Sequence, residues 1–168
     1  MPIYEPLASK YRPKNLDNFV GQKHLVGENG PIKRFLESGK IPSMIFWGPP
    51  GTGKTTLAYI ISLNLFYDFH KLQAVNSGKD KLKKIVQVAI SNQQYGKKTI
   101  LFLDEIHRWN KAQQDALLPY VEKGLIILIG ATTENPSFSV NSALLSRTKV
   151  FVFKQHELQD IYDLVDRV

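Results

Sequence analysis

Cysteine is absent from the 168-residue chain. That excludes a disulfide framework and a thiolate metal site, and it fits a reducing compartment. Histidine is sparse: His24, His70, His107 and His156 are scattered without metal-ligand spacing, so none reads as a ligand. No apolar run is long enough to cross a bilayer and no secretory leader is legible. The expectation is a soluble, cytoplasmic protein with no membrane partner. Internal repeats and low-complexity tracts are also missing. Acidic residues are outnumbered, 15 against 22 basic, and the net charge of +7 suggests a polyanionic partner without identifying one. What remains is an ordinary globular composition, 43% hydrophobic, of a length suited to one α/β domain.

The most informative stretch is Gly48-Pro49-Pro50-Gly51-Thr52-Gly53-Lys54-Thr55, a complete G-x-x-x-x-G-K-[ST] phosphate-binding loop. The apolar run Ser43 to Trp47 before it reads as a buried strand, and Thr56 to Leu63 after it reads as a helix. Glycines in that context let successive backbone N–H groups turn inward and form an anion site at a helix N-terminus. Lys54 is placed to reach the β- and γ-phosphates of a nucleoside triphosphate, and the Thr55 hydroxyl to coordinate Mg²⁺.

The rest of the chain alternates strands and helices. Residues 1–22, with prolines at 2, 6 and 13, read as extended over the surface. Pro31 to Ser38 reads as a short helix with proline at its start and Gly39 just past its end. Lys71 to Asn76 reads as a second strand, and Leu82, Ile85, Val86, Ala89 and Ile90 recur at helical spacing. Thr99–Leu103 and Leu125–Ile129 are near-continuous apolar runs, as expected of parallel strands covered on both faces. Between them Lys111 to Lys123 reads as a helix that Pro119 should kink or end. Val150 to Phe153 supplies a fifth strand. Leu158, Ile161, Tyr162, Val165 and Val168 read as a last amphipathic helix, with nothing after it to cover its apolar face.

Asp104 and Glu105 close the third strong strand, on the side of the sheet where ligands of open α/β folds bind. Asp104 is suited to holding Mg²⁺ and Glu105 to polarising an attacking water. Thr132 and Thr133 end the next strand, so one hydroxyl can contact a γ-phosphate or the water. Asn76 can hydrogen-bond Glu105 and hold it inactive. Lys79, Lys81, Lys83 and Lys84 form a basic cluster suited to DNA, or a merely solvated helix edge. Asp104-Glu105-Ile106-His107 also reads like a DExH-box helicase motif, a class that needs a second motor domain.

Together these residues resemble the AAA+ ATPases, and among them the replication-associated recombination ATPases. The resemblance is carried by Leu7 to Pro13, Phe19 to Gln22, Leu103 to Arg108, Asn110 to Asp115 and Gly130 to Phe138, with Trp109 where phenylalanine is expected. It implies a P-loop fold with a five-stranded parallel sheet in the order 5-1-4-3-2, flanked by helices. It implies ATP and Mg²⁺ as cofactors, with Gly48, Pro49, Pro50, Gly51, Thr52, Gly53, Lys54, Thr55 and Thr56 around the nucleotide. Tyr11, Arg12, Pro13, Val20 and Gly21 would lie along the adenine, Thr133 (or Thr132) would be the sensor-1 residue, and Arg147 an arginine finger inserted by a neighbouring subunit. The implied protein is a homo-oligomer acting on single-stranded or forked DNA at replication forks or single-strand gaps, in contact with other replication proteins in the bacterial nucleoid. A clamp-loader-like or RuvB-like motor and an ATP-gated scaffold are the alternatives. The resemblance divides the chain into an extended segment (1–22), an ATPase core (23–155) and the start of a helical lid (156–168). The remaining lid, with its sensor-2 arginine, is expected further along a longer protein.

Overall fold

The computed structural model describes residues 15–166. Five strands, β1 (Met44–Trp47), β2 (Asp68–Gln73), β3 (Thr99–Asp104), β4 (Ile127–Thr132) and β5 (Lys149–Val152), form one parallel sheet. Their spatial order is β2-β3-β4-β1-β5, which read from the other edge is the expected 5-1-4-3-2. Parallel neighbours need crossovers, and helices on both faces supply them. The helices are α1 (Lys23–Val26), α2 (Pro31–Ser38), α3 (Lys54–Leu65), α4 (Lys79–Gln94), α5 (Lys111–Asp115), α6 (Leu118–Glu122), α7 (Pro136–Ser139), α8 (Ser142–Leu145) and α9 (Leu158–Asp166).

Alternation along β3 explains why its run is apolar throughout. Leu101 and Leu103 pack into the core shared with Leu82, Ile85, Val86 and Ala89 of α4, while Ile100 and Phe102 pack with Leu57, Ala58 and Ile61 of α3. Each fully buried side chain of this size contributes roughly 1.5–3 kcal/mol. No polar residue is therefore tolerated between Ile100 and Leu103.

Three expectations shift. The second strand is Asp68–Gln73, three residues earlier than Lys71 to Asn76, which instead enters a 3-10 turn at Ala74–Asn76. As the edge strand β2 has one neighbour only, so the polar Asp68, His70 and Lys71 are accommodated and the apolar signal fades. Ile90 of α4 is exposed, unlike the other four positions of its pattern. Within the supposed extended segment, Leu16–Asn18 is a 3-10 turn capped by the Asn15 side chain. Pro119 acts as expected. The helix breaks at Ala116–Leu117, because proline lacks an N–H and crowds the preceding turn.

The connection after β3 is held by a buried amide. Gln114 is 2% exposed. Its Nε2 donates to the carbonyls of Trp109 (3.1 Å) and Ser139 (2.9 Å), and its Oε1 accepts the Asn141 N–H at 2.8 Å. One side chain thus joins the turn after β3 to the loop after β4. Gln114→Leu keeps the volume and strands three backbone groups, that of Trp109 buried and those of Ser139 and Asn141 partly buried. We expect it to lower unfolding free energy by about 2–4 kcal/mol in urea titration, against less than about 0.5 kcal/mol for the exposed Gln93→Leu.

Candidate functional site

The strand register brings the important chain ends together. Trp47 pairs with Thr132 and Leu103 with Gly130, so the phosphate loop, the Asp104-Glu105 pair and the Thr132-Thr133 pair leave the sheet at the same edge. Gly130 makes this approach possible. A Cβ there would sit 2.9 Å from Ile45 Cδ1 and 3.1 Å from Ile106 Cδ1. Between these ends lies a cavity of 440 Å³.

Of the residues singled out from sequence, Val20, Pro50 to Thr56, Asp104, Glu105, Thr132 and Thr133 line that cavity. Gly48 and Pro49 stand behind it. Their carbonyls accept the Lys54 Nζ at 2.6 and 2.7 Å, and the Gly48 Cα lies so close to Phe153 that an added Cβ would meet its carbonyl at 2.5 Å. Gly21 also stands behind the lining, with its Cα against the His156 ring. Arg147 is not part of the lining. It pairs through Nε with Glu122 at 2.7 Å and donates from Nη1 to the Ala143 carbonyl at 2.8 Å. Tyr11, Arg12 and Pro13 lie outside the described residues.

The loop is built to receive an anion. Gly51 (φ 74°) and Gly53 (φ 95°) adopt left-handed conformations open to glycine, and nothing lies within 4 Å of a Cβ placed on Gly51. Behind Gly53 an added Cβ would meet the Phe19 ring at 2.8 Å, so the loop is backed by an aromatic face. Burial lowers the Lys54 pKa from the ordinary lysine value, and the charge of Asp104 opposes that shift. Among the described residues no carboxylate lies within ion-pair distance of its ammonium. A half-buried cation held only by carbonyls, at a helix N-terminus, fits a polyphosphate. The Thr55 hydroxyl and the Asp104 carboxylate are the hard oxygen donors suited to Mg²⁺, which takes most of its remaining ligands from phosphate and water. Among the described residues no cluster of three His, Cys, Asp or Glu forms a separate metal cage.

The two threonines separate by burial. Thr132 is 1% exposed, and its Oγ1 accepts the Glu134 N–H at 3.0 Å. Thr133 is exposed and faces the cavity. Asn76 makes no hydrogen bond to Glu105; its carbonyl accepts Lys81 Nζ instead. Sequence reasoning missed four contributors. Phe19, His156 and Leu164 line the cavity, and buried Gln22 braces it. The Gln22 amide donates to the Lys154 carbonyl (2.7 Å) and accepts its N–H (2.9 Å), tying the N-terminal segment to the end of β5. Gly21-Gln22 belongs to a stretch that carries the resemblance, but only the fold brings Lys154 to it.

Comparison with known proteins follows this geometry. The model of the ATPase family associated with various cellular activities (AAA) matches residues 44–156, and the chain belongs to that family. It is 50% identical over 158 residues to the replication-associated recombination protein A of Escherichia coli K12, and 52% identical over 161 residues to that of Coxiella burnetii. These matches cover 94% and 96% of the chain but 35% and 36% of those proteins, so the chain spans about a third of its curated relatives' length. An ATPase WRNIP1 of Dictyostelium discoideum is 49% identical over 98% of the chain and 19% of that protein. Among solved structures, the Thermotoga maritima RuvB Holliday junction branch migration motor has a TM-score of 0.73 at 28% identity, covering 94% of this chain and 53% of that one. The chain is thus a module of that ATPase family, related to replication-associated recombination protein A. Use of ATP and Mg²⁺ is general to that family. No described helix is long and apolar enough to cross a membrane.

Glu105 carries a cost that the fold alone does not require. It is a non-glycine residue at φ 56°, ψ 47°, a left-handed conformation that costs roughly 1–2 kcal/mol. Glu105→Gly should relieve it. We expect the free protein to gain about 0.5–1 kcal/mol in urea unfolding, a gain in stability from removing the one carboxylate best placed for chemistry.

Proposed function

We propose that this cavity holds the triphosphate of Mg-ATP and that Glu105 directs its hydrolysis. The observation that carries the reading is one cavity lined jointly by the phosphate loop, Asp104-Glu105 and Thr133. Lys54 exchanges its carbonyl partners for phosphate oxygens, a stronger charge-assisted contact. Thr55 and Asp104 hold Mg²⁺, which neutralises charge developing on the phosphates. Glu105 accepts a hydrogen bond from the attacking water and orients it toward phosphorus. Thr133, at the sensor-1 position, contacts the γ-phosphate or that water. Val20 lies along the base, with Gly21 behind it and Tyr11 to Pro13 assigned to the same role.

Arg147 acts on a neighbour's nucleotide. Its place outside the cavity, held by Glu122, supports a role in trans, and a head-to-tail contact of this kind repeats into a ring or arc. The whole protein is a homo-oligomer maintaining forked or gapped DNA in the bacterial cytoplasm, with residues 1–22, 23–155 and 156–168 as entry segment, core and lid start. Lys79, Lys81, Lys83 and Lys84, all exposed at the start of α4, are its candidate DNA contacts.

Three experiments test this. In the longer natural protein, Lys54→Ala should lose ATP binding and Glu105→Gln should keep it while losing turnover. Arg147→Ala mixed with Lys54→Ala should regain part of the activity that each lacks alone, and mixed oligomers without recovery would refute action in trans. For DNA, neutralising Lys81, Lys83 and Lys84 together should reduce the slope of log affinity against log salt by about 2–3. An unchanged slope assigns the cluster to solvent.

A further inference from the structure

We propose that His107 is a positioning residue that sets Glu105 and Thr133 in register across two strands. The proposal rests on the assignment of those two residues above.

His107 lies in the 3-10 turn Ile106–Arg108, directly after the strained Glu105. Three contacts fix that turn. Arg108 N–H donates to the Glu105 carbonyl at 2.8 Å, Ile106 is fully buried against Gly130, and Trp109 Nε1 donates to the Ser77 carbonyl at 3.1 Å. These contacts reach the core and the start of α4. The His107 side chain makes a different connection, to the end of β4. Its Nδ1 lies 3.0 Å from Thr132 Oγ1.

That hydroxyl is already engaged. It accepts the Glu134 N–H at 3.0 Å and lies 3.2 Å from the Glu134 carbonyl. All three contacts are hydrogen bonds at once in one arrangement only. Nδ1–H of His107 donates to Oγ1, and the hydroxyl proton goes to the Glu134 carbonyl. One donation and two acceptances complete what a hydroxyl can do.

The consequence falls on Thr133. Thr132 Oγ1 bonds the backbone on the far side of Thr133, forming a side-chain turn that presents the Thr133 side chain to the cavity. His107 closes the same turn from the Glu105 side. Glu105 and Thr133 are thus tied through the hydroxyl of Thr132, at the cavity wall, and an imidazole outside the lining. A shift of about 1 Å at a reacting group can cost on the order of a hundredfold in rate.

Single-turnover hydrolysis by the full-length oligomeric protein in excess over Mg-ATP, with calorimetric ADP affinity and thermal unfolding, tests this. Asparagine can place a donor near the Nδ1 position, and valine keeps the shape of Thr132 without its hydroxyl. His107→Ala and Thr132→Val should each slow hydrolysis roughly tenfold to hundredfold, with ADP affinity unchanged within about threefold. His107→Asn should restore the rate to within about threefold of the parent, and the double variant should be no slower than the slower single, since both break one link. Parental rate in His107→Ala, loss of ADP affinity in step with rate, or multiplied defects in the double variant would overturn the proposal. Glu105→Gln is the control for the underlying assignment. If it hydrolyses ATP like the parent, that assignment fails and takes the proposal with it, whatever the His107 variants do.

Discussion

A half-buried ammonium turned back on its own loop is the interaction from which the rest of this structure follows. Lys54 Nζ sits at 2.6 and 2.7 Å from the Gly48 and Pro49 carbonyls, with its pKa lowered by burial. Neutral carbonyls are weaker partners for it than phosphate oxygens, so an anion in their place is favoured. Keeping it there requires a loop whose glycines can turn left-handed, a helix directly after it, and a strand rigid enough to fix both. The interior position of β1, paired on both sides with β4 and β5, provides that rigidity.

Strain gathers around the same cavity. Among the described residues the non-glycine positions with positive φ are Gln22, Phe66 and Glu105, and two of these three adjoin the site. Each of the two is held by something independent of its own preference. Gln22 is held by a two-way amide contact with Lys154, and Glu105 by the turn that buries Ile106. Backbone strain of this kind persists only where neighbours over-determine it. The fold invests stability in placing these side chains.

Much of this was legible because the phosphate loop and the strands β1, β3 and β4 have local causes. Glycine spacing reports backbone geometry directly, and strands buried on both faces admit no polar interruption. The edge strand β2 was harder, because with one neighbour and partial exposure its residues need not be apolar. Thr132 and Thr133 both line the cavity and differ in burial, a difference that no local pattern marks. Phe19, Gln22, His156 and Leu164 escaped for a common reason. Their partners lie far along the chain, as with Gln22 and Lys154, and no local pattern marks such a contact. The stretches Asn110 to Asp115 and Gly130 to Phe138, quoted first for resemblance, now have physical content in the Asn110–Gln113 capping box, the buried Gln114 amide and the close-packed Gly130.

The central claim is that phosphate, more than base, is what this cavity binds. Calorimetric titration of the chain with AMP, ADP and ATP in the presence of Mg²⁺ tests it most directly. A loop satisfying Lys54 through the β-phosphate predicts one site per chain and ADP bound at least about a hundredfold more tightly than AMP, a difference of roughly 2.7 kcal/mol. Equal affinities for AMP and ADP would contradict the account, because recognition would then lie with the base and the Lys54 loop would have no part in it.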